Sequence, residues 1–285
     1  MPAALLDGIS TRFEVVGSGA PLLMYAPGGF DARLEQWTAL PSYAKTKLFE
    51  HLSARYRCII FDRRETGASG GRIERVTWAS YAVQGKALLD HLGIERAHVM
   101  GGCMGVSCAI AFGVAYPETA LSLVLYSPIG GAAHRISSHL RFAQHLAYVQ
   151  QEGLPGVVAL VAREGKHFGA DPRGGPWASV IKSDAAFAAA FAELNVARYS
   201  ALVAGMARTM YDRDTAPGAE PEDLMQLDIP ALVVPGHDAA HATSAARYLS
   251  ECLARAEYWD VMPADQNDTN APVRVLEFLT SASGG

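Results

Sequence analysis

Short apolar runs alternate along this chain with stretches whose apolar positions recur every three or four residues. The runs at 12–16, 21–25, 57–62, 98–102, 122–127, 231–235 and 257–261 are rich in Val, Ile and Leu and bounded by Gly or Pro. That is the pattern of strands buried on both faces. Helical periodicity fills 39–52, 80–91, 104–116, 243–254 and 271–281. Such alternation predicts an α/β fold: a mostly parallel sheet with helices on both faces.

Between about residues 130 and 226 the strand signal disappears. Helical patterns over 138–151 and 185–211 are punctuated by Gly153-Leu154-Pro155, by the Pro172 to Pro176 stretch and by Ala216-Pro217-Gly218. The predicted organisation is a core domain of residues 1–129 and 227–285, with 130–226 inserted as a helical cap, or lid, over the site. Extra scaffold helices are the competing reading of the insertion.

Composition narrows the partners. A net charge of -5, with no Lys/Arg block, argues against nucleic acid and against an anionic membrane. No segment approaches an uninterrupted apolar stretch of ~20 residues, and the start Met1-Pro2-Ala3-Ala4 lacks the basic, apolar pattern of a signal peptide. The chain therefore reads as cytoplasmic. Its oligomeric state, a homodimer included, stays open. Cys58, Cys103, Cys108 and Cys252 form no C-x-x-C pair and no zinc-like spacing with histidines, so no metal is expected. Cys58 and Cys108 read as reduced packing residues.

Cys103 is different. It lies in Gly101-Gly102-Cys103-Met104-Gly105, after the apolar run Ala97-His98-Val99-Met100 and before a small-residue helical stretch. This is G-x-nucleophile-x-G between a strand and a helix, with cysteine where serine is usual. The glycines permit a tight, strained turn that exposes one side chain. A thiol at a helix N-terminus has its anion favoured by free N–H groups and the helix dipole.

Around this elbow the chain resembles the α/β-hydrolase superfamily nearly end to end. Residues Pro21 to Phe30, which contain Pro27-Gly28-Gly29-Phe30, look like the family's strand and H-G-G-F-type oxyanion loop. The segment Phe61-Asp62-Arg63-Arg64-Glu65-Thr66-Gly67-Ala68-Ser69 resembles its D-x-R-G-x-G-x-S, with Glu65 where glycine is usual. Ile229 to Asp238 resemble the strand and loop that carry the family's acid. The resemblance implies an α/β-hydrolase fold with an eight-stranded sheet and a cap after the sixth strand. It also implies an oxyanion hole from the backbone of Met104 and of Gly29 or Phe30.

One part of the family pattern is missing. The base histidine should follow the last strand, yet Met262 to Pro272 contain none, and no histidine lies beyond His241. A relocated base at His241, oriented by Asp238, is the sharp reading of the Gly236-His237-Asp238-Ala239-Ala240-His241 loop. Two surface histidines are the bland one. Asp265 or Gln266 stand near the vacated position, the first as a carboxylate base and the second as an orienting group. Asp31 beyond the oxyanion loop and Trp37, Trp78 and Trp177 are candidate substrate contacts, with core packing as the default for the tryptophans. Surface placement is expected for His134, His139, His145 and His167, and ion pairs for Arg63 and Arg64.

The leading function is then a cofactor-free hydrolase or acyl transferase using Cys103. Its substrate would be a small hydrophobic ester, lactone, thioester or diketone-like molecule. The missing histidine keeps two alternatives: a lyase, isomerase or cyclase that uses the pocket without covalent turnover, and a ligand-binding protein without catalysis.

Overall fold

The computed structural model describes residues 2–283. Its strands are β1 (Ala3–Leu6), β2 (Ile9–Val16), β3 (Pro21–Tyr25), β4 (Arg57–Phe61), β5 (Ala97–Gly102), β6 (Ala120–Tyr126), β7 (Ala231–Val234) and β8 (Ala256–Tyr258). They form one sheet in the order β1-β2-β4-β3-β5-β6-β7-β8. β2 runs antiparallel to β1 and β4, and the remaining pairs are parallel. β1 has no counterpart among the predicted strands, because only Ala4 and Leu6 of it are buried. Asp7 and Gly8, both at positive φ (46° and 72°), close its hairpin with β2.

The strands from β3 to β7 are mostly apolar because both faces are covered. In β3, Leu23 and Tyr25 join the larger core cluster, while Leu22 and Met24 join the cluster on the other face. β5 lies between β3 and β6, so its C-terminal end emerges mid-sheet. The helix Gly105–Ala115 that follows is buried from Gly105 to Gly113, which explains its small residues.

Two helical expectations change in detail. The 39–52 pattern is realised as Gln36–Ala39, Pro41–Thr46 and Leu48–Ser53, broken where Pro41 restarts the helix and where Lys47 turns left-handed (φ 47°). Thr243 does not cap its helix: Ala242 is the capping residue, and the Thr243 hydroxyl donates to Gly236 O at 3.0 Å.

Between β6 and β7 the chain is helical, in Ala132–Glu164, Ala178–Ser183, Ala185–Ala192, Val196–Met210 and Pro221–Gln226. The long first helix kinks at Gly153 (φ 69°, ψ 178°), just before Pro155. Phe142 and Phe168 of this insertion pack edge-on against Phe30, with centroids 5.8 and 4.8 Å away. The ring of Phe30 thus ties the loop after β3 to the insertion. Trp177, fully buried, donates from its indole N–H to Arg72 O at 2.8 Å. Among the described residues no helix is long and apolar enough to cross a membrane.

Candidate active site

Cys103 sits at the turn from β5 into the helix Gly105–Ala115 with φ 54°, a left-handed conformation that costs a residue with a Cβ ~1–2 kcal/mol. Its N–H donates to Tyr126 O at 3.1 Å, and its carbonyl accepts from Val106 N at 3.1 Å. The flanking glycines are there for space. A Cβ on Gly101 would lie 2.2 Å from Gly105 O, and one on Gly105 would lie 2.2 Å from Tyr25 O. Gly101→Ala or Gly105→Ala is therefore expected to lower unfolding free energy by about 3 kcal/mol. Urea denaturation would check this, and a loss under ~1 kcal/mol would show that the elbow yields more easily than its packing implies.

The thiol opens on a cavity of about 290 Å³. The core side contributes Gly28, Gly29, Phe30, Met104, Ile129 and Ala240, and the insertion contributes His134, Ser137, Arg141, His167, Gly169 and Tyr211. His134, Ser137 and Arg141 follow the i, i+3, i+7 spacing of one helix face. The expectation of surface placement thus fails for His134 and His167, which line the cavity. It fails also for His145, which is fully buried and bonds Tyr199 Oη at 2.7 Å. Burial, helped by the charges of His241 and Arg141, pushes His134 down to about 4, so it is neutral at pH 7.

His241 and Asp238 come together on the loop after β7. The Asp238 carboxylate accepts from the Ala240 and His241 backbone N–H groups at 2.8 and 2.9 Å, and from His241 Nδ1 at 2.9 Å. Gly130 pins the same loop by donating to Ala240 O at 3.0 Å and accepting from Ala242 N at 3.3 Å. Gly236 is required there, because a Cβ on it would lie 2.3 Å from His241 Cβ. His241 Nε2 is buried and has no conventional partner among the described residues. No hydrogen bond joins it to Cys103, but the two side chains lie close enough for each to shift the other's ionisation. Burial opposes ionisation of Cys103, but the neighbouring His241, with the Gly28 and Met104 amides, outweighs it and brings the thiol below its ordinary range. Burial also opposes the imidazolium, yet Cys103 and then Asp238 hold His241 up at about 9. Each group thereby favours the charged form of the other. By contrast, burial pushes Cys58 to about 12 and Cys108 to about 11, leaving both inert thiols.

The amide of Gly28, not singled out from the sequence, joins that of Met104 beside the sulfur. Gly29 lines the cavity and has φ 61°, while Phe30 anchors the turn through its ring. Arg63 departs from the ion-pair expectation. It is buried with its guanidinium over the Tyr81 ring at 4.5 Å and donates to Gly29 O, behind the oxyanion turn. Arg64 does pair, with Glu65 at 2.8 Å and Glu74 at 2.6 Å. Glu65 keeps the left-handed backbone (φ 66°) of the glycine it replaces.

Three candidate substrate contacts lie elsewhere. Trp37 is fully buried in the core cluster on the other sheet face, stacked edge-on against Tyr43. Gln266 is buried as a link, accepting from Tyr126 Oη at 2.5 Å and donating to Val261 O at 2.8 Å, and Asp265 beside it is exposed. Asp31 is held by Arg33 at 2.7 Å and Gln36 at 2.6 Å in an adjoining cleft. Trp78 and Trp177 are packing residues. His237 faces Thr243 Oγ1 at 3.2 Å.

A sequence profile for the alpha/beta hydrolase fold matches residues 21–166, just over half of the chain. The chain belongs to the α/β-hydrolase fold family. Within the family it is 32% identical, over 44% of its length, to the dihydrolipoyllysine-residue acetyltransferase component of the acetoin cleaving system of Cupriavidus necator. It is 48% identical over 17% of its length to a 2-hydroxy-6-oxo-6-phenylhexa-2,4-dienoate hydrolase of Comamonas testosteroni. The matches span 31% and 18% of these relatives, so less than a third of either. Among solved structures, the enol-lactonase of Burkholderia xenovorans superposes with a TM-score of 0.60 at 21% identity, covering 98% of this chain and all of that one.

The Asp238 side chain is exposed and shares its oxygens with two backbone amides. Asp238→Asn is expected to lower kcat/KM on an ester only about tenfold, ~1.4 kcal/mol. Steady-state kinetics would check this, and a loss above a thousandfold would make the carboxylate essential.

Proposed function

We propose that this protein is a hydrolase, or an acyl transferase, acting on a small ester, lactone, thioester or diketone-like substrate through Cys103. The reading rests on one observation: Cys103 opens on the cavity, His241 lies close enough to shift its ionisation, and Asp238 bonds His241 Nδ1 at 2.9 Å. The Cys103 thiolate attacks the carbonyl carbon. The oxyanion is received by the amides of Met104 and of the Gly28-Gly29 turn. His241 gives its proton to the leaving group as that group departs, leaving an acyl thioester on Cys103. Neutral His241 then takes a proton from water, or from another acceptor, as it attacks the thioester. The acyl product leaves and the thiolate–imidazolium pair returns. Residues 130–226 act as a cap in this reading, since they supply half the cavity wall.

The hydrolase names of relatives such as the dienoate hydrolase support the reaction class. The lyase and binding-protein alternatives draw on the absent C-terminal histidine, and the placement of His241 beside Cys103 supports the hydrolase reading over them. The test is intact mass after brief exposure to p-nitrophenyl esters and acyl thioesters. An acyl-sized increment on Cys103, decaying with product release, is the expected result. Ligand binding with neither adduct nor product would overturn the reading in favour of a binding protein.

A further inference from the structure

Arg141 is a cation inside the cavity with no role in the chemistry just described. It lies on the face of the helix Ala132–Glu164 that also presents His134 and Ser137, and it is half-buried. Three other arginines of the insertion are neutralised: Arg135 by Asp214 at 3.2 Å, Arg173 by Asp171 at 2.7 Å, Arg213 by Asp212 and Glu220 at 2.7 and 2.8 Å. Among the described residues Arg141 has no carboxylate within ion-pair distance and donates no hydrogen bond, although its charge is felt by His134 and Tyr211. Three titratable neighbours are accounted for. His134 is neutral, Tyr211 keeps its phenol proton, and the His241 charge is balanced by Cys103 and Asp238.

A second cavity-lining residue carries an unpartnered ring nitrogen. His167 Nδ1 is buried and has no hydrogen-bond partner among the described residues, while its Nε2 lies 3.8 Å from Asp31. A half-desolvated guanidinium without a counter-ion is costly, and its planar fork matches a carboxylate in two parallel bonds. Aliphatic or aromatic walls from Phe30, Met104, Ile129 and Tyr211 fill the space between.

We propose that Arg141 receives a carboxylate of the substrate, so that the preferred substrates are acyl compounds carrying a free acid group. This deepens the reading of Cys103 as the reacting group and rests on it. Arg141 would be the residue that decides which acyl compounds are turned over.

The test compares mono-p-nitrophenyl glutarate with its neutral methyl ester in the wild type, Arg141→Gln and Arg141→Lys. Separately, iodoacetamide alkylation of Cys103 is timed with succinate, glutarate or adipate present. Arg141→Gln should lower kcat/KM on the acid ester about 30-fold and on the methyl ester less than threefold, with Arg141→Lys recovering part of the loss. At least one diacid should slow alkylation in the wild type and not in Arg141→Gln. Equal losses on both esters, or no acid preference in the wild type, would overturn the proposal. If no ester is turned over but a diacid still protects Cys103 through Arg141, carboxylate recognition stands and the hydrolase reading falls. If no diacid protects and no acid ester is preferred, carboxylate recognition falls whatever the esterase activity.

Discussion

Cys103→Ala is expected to abolish turnover, with kcat/KM on any acyl substrate falling on the order of 10⁵-fold or more. Alanine offers no nucleophile, and no other thiol can substitute, because Cys108 is buried and its ionisation is suppressed. The fold should survive. The replacement removes one sulfur from a half-exposed position and keeps the same left-handed strain (φ 54°) that any residue with a Cβ meets there. Thermal unfolding should therefore stay within ~1 kcal/mol of the wild type. The Gly28 and Met104 amides remain, so ligands should still bind. Turnover above one per cent in the alanine variant would mean that the chemistry runs elsewhere.

His241→Gln should cost about 10³-fold in kcat/KM and should change how Cys103 responds to pH. In the wild type the thiolate is favoured below the thiol's ordinary range, since His241 and the amides outweigh burial. Removing the imidazolium leaves burial, the largest opposing effect, against two amides alone. The alkylation profile of Cys103 should then move to higher pH, and the rate at pH 7 should fall. The direction follows from charge: a cation lost beside a thiolate raises that thiol's pKa. On the alkaline side, wild-type turnover should decline as pH passes about 9, where His241 loses the proton that the leaving group needs. Glutamine preserves the size of the ring's first branch and so separates the charge effect from a packing effect. An alkylation profile unchanged in the variant would sever His241 from Cys103.

Much of this was legible in the chain. The apolar runs locate the strands because each is covered on both faces, and the glycines around Cys103 announce a turn that no side chain could share. The pairing of His241 with Asp238 could be read because the two share one short loop. Other features were hidden for physical reasons. β1 is a half-exposed edge strand without a continuous apolar run. Trp37 and Gln266 carry functional-looking side chains, yet only the packing of Tyr43 and Tyr126 reveals their structural use. Arg63 was expected to seek a carboxylate, but its place behind the Gly29 carbonyl arises from the meeting of β3 and β4 loops distant in sequence. The cavity face of the insertion had a signal, the 134, 137 and 141 spacing, which becomes meaningful only once Cys103 lies opposite.

Asp238 and His241 are neighbours on one turn. Their mutual alignment is written into the loop's own backbone: Asp238 and His241 exchange N–H to carbonyl contacts at 3.3 Å each way, and the carboxylate closes over the same turn. Under the proposed mechanism the edge strand β8 and the chain beyond it carry no chemical duty. Substitutions and insertions from Trp259 to Asn270 would be judged by stability alone, and that stretch becomes the part of the molecule most free to be rebuilt without retuning its reactive centre.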